Sequence, residues 1–135
     1  MVVQFVLFGF LGLLGELGFT SLKKTITQKS LELKGETSLW MFPVYGLIAF
    51  VFPLIAVHIS SWPWIVRGLI YMVTFFLVEY IAGFILTKLK ICPWKYPAKY
   101  SVNGLIYLPY APLWFAVGLG IEWIYPWVVQ VSRYI

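Results

Sequence analysis

Four long apolar stretches alternate along this chain with connections that are either very short or rich in lysine. The first runs from about Val2 to Leu22, the second from Leu39 to Ile59, the third from Trp64 to Lys88, and the fourth from Gly104 to Val131. A helix of about 20 apolar residues, rising 1.5 Å per residue, crosses the hydrocarbon core of a bilayer. The pattern therefore predicts an all-α, polytopic integral membrane protein, a single domain folded as a bundle of four transmembrane helices. Pro43 and Pro53 interrupt the second stretch, Pro109 and Pro112 the fourth. Prolines are tolerated in membrane helices, where they kink the axis. Ser60-Ser61-Trp62-Pro63 reads as a tight interfacial turn, which makes the second and third helices neighbours.

The exceptions to this apolar pattern are few and informative. The third stretch carries Arg67 near its start and Glu79 deep inside, and the first and fourth each hold one glutamate, Glu16 and Glu122. An ionisable group at membrane depth is costly, faces protein or a water-filled cavity, and marks a working site. Helical spacing puts Gly9, Gly12, Glu16 and Thr20 on one face of the first span. Gly68, Met72, Glu79 and Gly83 share a face of the third, and Gly104, Ala111, Gly118 and Glu122 a face of the fourth. Small residues let membrane helices approach closely, so each glutamate is expected at a helix contact. Glu122 and Arg67 fall at similar heights, which predicts a structural ion pair that fixes helix register.

Glu16 and Glu79 lie about 10 and 13 Å along their axes from Lys23 and Lys88, and so at similar depths. No lysine or arginine shares that layer. Two carboxylates close together in a low dielectric do not both stay ionised, so one holds a proton or the pair holds a cation. This makes Glu16 and Glu79, with Thr20 and Tyr110 as polar neighbours, the candidate ligand- or ion-binding site. The bland alternative is two separate protonated carboxyls, each hydrogen-bonded to a backbone carbonyl or a tyrosine such as Tyr110.

Composition sharpens the picture. Of the 135 residues, 61% are hydrophobic, 20% aromatic and only 11% charged, against about 25% charged in soluble domains. A net charge of +5 would point to nucleic acid in a soluble protein. Here the basic residues sit beside spans, in loops 23–38 and 88–103, where anionic headgroups are the expected partner. Lys23, Lys24, Lys29 and Lys34 face Glu32 and Glu36 in the first loop, whereas Lys88, Lys90, Lys95 and Lys99 meet no acid in the second. Cytoplasmic loops carry the Lys/Arg excess, so both loops are expected in the cytoplasm and both termini outside. The N-terminus lacks a basic region, and its apolar run continues through Glu16, so no signal peptide is expected. Trp94, Tyr96 and Tyr100 among lysines that include Lys95 and Lys99, broken by Pro93 and Pro97, suit a segment lying at headgroup level or, alternatively, a lid over a cavity mouth.

Reactive chemistry is thinly represented. Cys92 is the single cysteine, His58 the single histidine, and there is no aspartate. No phosphate loop, His-Glu metal motif or Ser-His-Asp set occurs. No metal, no cofactor and no enzymatic activity are expected.

Gly12-x-x-x-Glu16 with Thr20, Gly35-x-Thr37-Ser38-x-Trp40 and Tyr45-Gly46 stand in that order, followed by Arg67-x-Leu69-Ile70-Tyr71 and Glu79-x-x-x-Gly83. Cys92-Pro93-Trp94-x-Tyr96 and Asn103-Gly104-x-Ile106, with Leu108, Tyr110 and Trp114, complete the series. In this order and spacing the chain resembles, over nearly its whole length, the small four-span family called putative ABC-transporter type IV, or CmpB-type, which includes the animal transmembrane protein 229. Pro109 departs from that family, whose members often carry a charged residue there, and this argues against an ion path through that part of span four. The resemblance implies a permease-like role without a substrate. Four kinked helices leave little room for a path within one chain, so transport would favour a homo-oligomer or a larger membrane complex. The rival readings are a non-catalytic accessory or structural subunit and, with least support, an enzyme acting on lipid.

Overall fold

The computed structural model describes residues 1–29, 34–35 and 37–135; Glu32 and Glu36 of the first lysine-rich loop lie outside the described residues. Among the described residues five α-helices form: α1 Val2–Gln28, α2 Met41–Gly46, α3 Ile48–Ile59, α4 Trp64–Lys88 and α5 Ala111–Ser132. Two short strands, β1 Ser101–Val102 and β2 Ile106–Tyr107, precede a 3₁₀ turn at Leu108–Tyr110 that leads into α5. Among the described residues four segments are long and apolar enough to cross a membrane: Val2–Gln28, Met41–Ile59, Trp64–Lys88 and Leu108–Ser132. The chain is an integral membrane protein, and lipid covers much of its surface: only 17–22% of the residues in each span's most apolar window are buried within the chain.

Several boundaries differ from those the apolar pattern suggests. α1 continues past Leu22 to Gln28 and stops at Lys29, which adopts a left-handed φ of 49°. Lys23 and Lys24 thus extend the helix, as residues with good helix propensity do. The second span is two helices that meet at Leu47, with Pro43 in the first turn of α2 and Pro53 inside α3. The fourth begins later than Gly104. Asn103 and Gly104 have φ of 54° and 70°, and the Leu105 N–H donates to the Val102 carbonyl at 3.0 Å. Asn-Gly favours this doubly positive turn because it matches the twist of the strands it joins; Val102 pairs with Ile106 and Ser101 with Tyr107. Gly104 therefore belongs to a hairpin and not to a helix face. Pro112 sits in the first turn of α5, where its missing N–H would be unpaired anyway, and Pro126 is the proline inside that helix.

The contacts divide the chain into two compact units, Met1–Pro53 and Leu54–Tyr134. In the first, α1 packs on α2 through glycines. A Cβ on Gly9 would lie 2.7 Å from the Phe42 ring, and one on Gly12 would lie 2.1 Å from Cγ of Tyr45. Gly46 receives the Phe5 ring in the same way, at 2.7 Å. Phe5, Phe10 and Phe42 fill the seam, with Phe5–Phe42 and Phe10–Phe42 meeting edge to face at 6.0 and 5.2 Å, the arrangement ring quadrupoles favour.

In the second unit α4 and α5 run antiparallel. Arg67 lies opposite Glu122, Tyr71 opposite Gly118, and Phe75 opposite Trp114, each step four residues along both helices. This is the spacing at which side chains recur on one helix face. A Cβ on Gly118 would fall 2.3 Å from Cβ of Tyr71, and one on Gly68 would fall 2.3 Å from the Phe115 ring. The two helices touch because these positions have no side chain. The ladder continued by one step would reach Glu79 and Tyr110, which is where α5 starts. The last turns of α4 are therefore met by the hairpin segment and not by a helix.

Candidate functional site

Each membrane-embedded glutamate accepts a hydrogen bond from a tyrosine hydroxyl supplied by another element of its own unit. On α1, Glu16 Oε2 accepts from Tyr45 Oη of α2 at 2.6 Å. On α4, Glu79 Oε1 accepts from Tyr96 at 2.5 Å. On α5, Glu122 Oε1 accepts from Tyr71 of α4 at 2.6 Å.

The Glu16 centre depends on a close approach. Gly35, in the connection after α1, runs against the α1 backbone so tightly that a Cβ there would sit 2.2 Å from the Leu17 carbonyl oxygen. Two residues later Thr37 hydrogen-bonds the Glu16 carboxyl. The half-buried carboxyl thus meets two hydroxyls from two different segments. Thr20, one turn along α1, donates its hydroxyl to the Glu16 and Leu17 carbonyls at 2.9 and 3.3 Å, back onto its own helix as threonines in helices do.

The Glu79 centre lies under an aromatic group. The Tyr96 ring stacks on Tyr107 at 5.4 Å and meets Tyr110 edge-on at 5.9 Å, while Tyr107 and Tyr110 meet edge-on at 5.0 Å. Tyr110 thus stands in the cluster, and the Tyr96 hydroxyl reaches Glu79. Trp94 is partly buried, its indole N–H donating to the Leu105 carbonyl at 2.9 Å. Lys95 and Lys99 are exposed.

Glu122 differs from the other two because a cation meets it. Arg67 donates Nε to Oε1 at 2.8 Å and Nη2 to Oε2 at 3.3 Å, a fork matched to the carboxylate. Its Nη1 donates to the Trp62 carbonyl at 2.6 Å. Arg67 therefore fastens the turn before α4 and the middle of α5 to one point. Exchanging the pair, as Arg67→Glu with Glu122→Arg, is expected to retain more folded protein after heating than either single change. Recovery should stay incomplete, because only an arginine at position 67 reaches Trp62. Size-exclusion profiles after a heating step read this directly; equal losses in all three variants would count against a register-fixing pair.

Sequence spacing brings Glu16 and Glu79 forward, but they fall in different units, each with its own donors. The tyrosine donors Tyr45, Tyr71 and Tyr96, and Thr37, are not singled out by spacing. A faint signal exists for Tyr71, which follows Arg67 by four residues and so shares its face. Among the described residues no three His, Cys, Asp or Glu side chains gather as metal ligands.

The family described as putative ABC-transporter type IV matches residues 3–135 of the chain. No solved structure matches it.

Proposed function

This chain belongs to the putative ABC-transporter type IV family, and from that premise we propose that it is a small permease-like membrane protein. Its Glu16 and Glu79 carboxyls bind a proton, a cation or a polar solute, and Glu122 has a structural part. The Glu16 centre carries this reading. Among the described residues its carboxyl meets the Tyr45 and Thr37 hydroxyls and no cationic side chain, whereas Glu122 has Arg67. A carboxylate taken into a low dielectric needs a counter-charge or a proton; hydroxyls orient it without supplying either. A mobile proton or cation completes such a site, and the two hydroxyl oxygens offer it further ligands.

The test is flux into sealed proteoliposomes, followed with a pH-sensitive dye and with alkali cations. Wild-type protein should collapse an imposed gradient faster than protein-free vesicles. Glu16→Gln keeps the shape of the side chain but exchanges no proton, and should return the rate to the protein-free value with the elution profile unchanged. A wild-type rate no higher than the lipid background would remove the permease reading.

The lysine-rich connections face the anionic headgroups of the cytoplasmic leaflet, and both termini lie outside. A reporter fused to the C-terminus should be active only on the outer side; activity in the cytoplasm reverses the orientation. The second reading, an accessory subunit, is favoured by one observation: Gly15, Gly18 and Gly120 have none of the described residues within 4 Å of where a Cβ would stand. Small residues left open suit a partner helix. Co-purification of a stoichiometric partner under native conditions would favour that reading over a self-sufficient permease.

A further inference from the structure

After Lys88 the chain turns back along the helix it has just built. Ile91 N–H donates to the Leu86 carbonyl at 2.9 Å, and Lys90 takes a left-handed φ of 61°. The Trp94 ring then lies on Gly83, where a Cβ would stand 3.0 Å from Cζ2, and Leu105 approaches the same point at 2.9 Å. Tyr96 reaches Glu79, and the Asn103 amide donates to the Tyr80 hydroxyl at 2.8 Å. The β1–β2 hairpin closes the segment, with Tyr96 N–H bonded to the Gly104 carbonyl at 2.9 Å. Residues 91–107 are therefore an ordered strap fastened to the last turns of α4.

The charge on this strap has one sign. Lys88, Lys90, Lys95 and Lys99 are all exposed, and the sequence has no acid between Glu79 and Glu122. Lys88 and Lys99 hold their ammonium groups 5.4 and 5.1 Å from the ring centroids of Phe84 and Tyr100, which limits their wandering. Depth follows from α4. Trp62 and Trp64 at its start, with Trp123 and Trp127 opposite on the α4–α5 ladder, are exposed aromatics of the kind that mark one membrane boundary. A hydrocarbon core of about 30 Å measured from Trp64 along α4 ends about 20 residues later, near Phe84. The points where the strap is fastened lie just inside that boundary, and its lysines lie in the headgroup layer.

We propose that residues 88–107 form a pre-ordered platform for the phosphate groups of anionic phospholipids, with Glu79 as the positioning residue that holds it through Tyr96. The inference rests on the reading that this connection faces anionic headgroups. It adds that lipid preference is set by a carboxyl inside the membrane. An ordered platform binds better than a loose tail carrying the same charge, because the cost of ordering has already been met within the protein.

The experiment uses full-length protein in phosphatidylcholine vesicles containing a minority of phosphatidylglycerol. The relative association of spin-labelled phosphatidylglycerol and phosphatidylcholine gives the lipid preference. The reaction rate of Cys92, the single cysteine, with a water-soluble maleimide reports whether the strap is closed, since its thiol is held against the Trp94 carbonyl at 3.2 Å. Lys95→Gln with Lys99→Gln should lower the preference by at least about fivefold without changing the Cys92 rate, and arginine at both positions should retain it. Tyr96→Phe keeps every lysine, yet should lower the preference by a similar factor and raise the Cys92 rate about tenfold, the yield of one lost hydrogen bond. If the lysine pair matters and Tyr96→Phe changes nothing, the headgroup reading survives and the platform is overturned. No change on removing the lysines overturns both. Loss of the preference when inorganic phosphate is added at constant ionic strength would identify a soluble-anion site and overturn the lipid assignment.

Discussion

Gly118→Val is expected to part α4 from α5 and to loosen the Glu122 centre with them. The new Cβ would be placed 2.3 Å from Cβ of Tyr71, where carbon atoms normally stand about 3.5–4.0 Å apart. Rotation of Tyr71 gives no relief, because a Cβ is fixed to the backbone. The helices must separate, or slide, by more than an ångström. Glu122 lies one helical turn from Gly118, and its partners Tyr71 and Arg67 lie one turn apart on α4, so any such movement stretches the bonds to Glu122. Overpacking of this kind costs about 1–3 kcal/mol, and a broken Tyr71–Glu122 hydrogen bond adds about 1 kcal/mol. Thermal unfolding in detergent should show a markedly lower Tm. Gly120→Val is the matched control: on the same helix, a Cβ at that position meets nothing within 4 Å, and its Tm should stay close to wild type. Equal losses at the two positions would mean that valine harms the helix itself and that close packing is not the cause.

Gly35→Ala is expected to impair flux as much as removing Thr37 would. The added Cβ would lie 2.2 Å from the Leu17 carbonyl oxygen, an atom locked in the α1 hydrogen-bond ladder. The connection must lift away, and Thr37, two residues on, is carried off the Glu16 carboxyl. A hydrogen bond to a charged group contributes about 1.5–3 kcal/mol, so the proteoliposome rate should fall at least about tenfold, with Thr37→Val giving a fall of the same size. Combining the two changes should add little, because both remove one contact. Gly15→Ala, where a Cβ would meet open space, should leave the rate unchanged. A fully active Gly35→Ala protein would show that Thr37 does not orient the Glu16 carboxyl for the proposed flux.

What the sequence makes legible depends on how far each feature reaches along the chain. Four spans are readable because length and hydropathy are local. The meeting of Arg67 with Glu122 can be anticipated from height alone, because rise per residue is fixed and a guanidinium seeks a carboxylate. Gly12, Gly68 and Gly118 announce contacts by their size. The end of α1 is harder: Lys23 and Lys24 look like a loop by charge, yet lysine lengthens a helix once the helix is nucleated. Asn103-Gly104 carries a strong turn signal that an apolar surrounding masks. The tyrosine donors are beyond reach, since a hydroxyl finds its carboxyl only after the helices have chosen their faces. Tyr110 and Tyr96 belong to one aromatic cluster, and only packing aims the Tyr96 hydroxyl at Glu79.

The glutamate–tyrosine bonds also bear on how the chain comes to be folded. Glu16 is joined to Tyr45, Glu79 to Tyr96, and Glu122 to Tyr71, and each bond closes within one compact unit. Contacts between near neighbours in sequence form quickly, and domains assemble from the N-terminus as synthesis proceeds. The first centre has all its residues once Tyr45 has been made, well before α4 begins. The last, at Glu122, waits for nearly the whole chain. Damage to the α1–α2 seam should therefore trap the protein early, while the nascent chain still occupies the insertion machinery. Damage at Arg67 or Glu122 should release a full-length chain that has entered the membrane but not closed, and that quality-control proteases can clear.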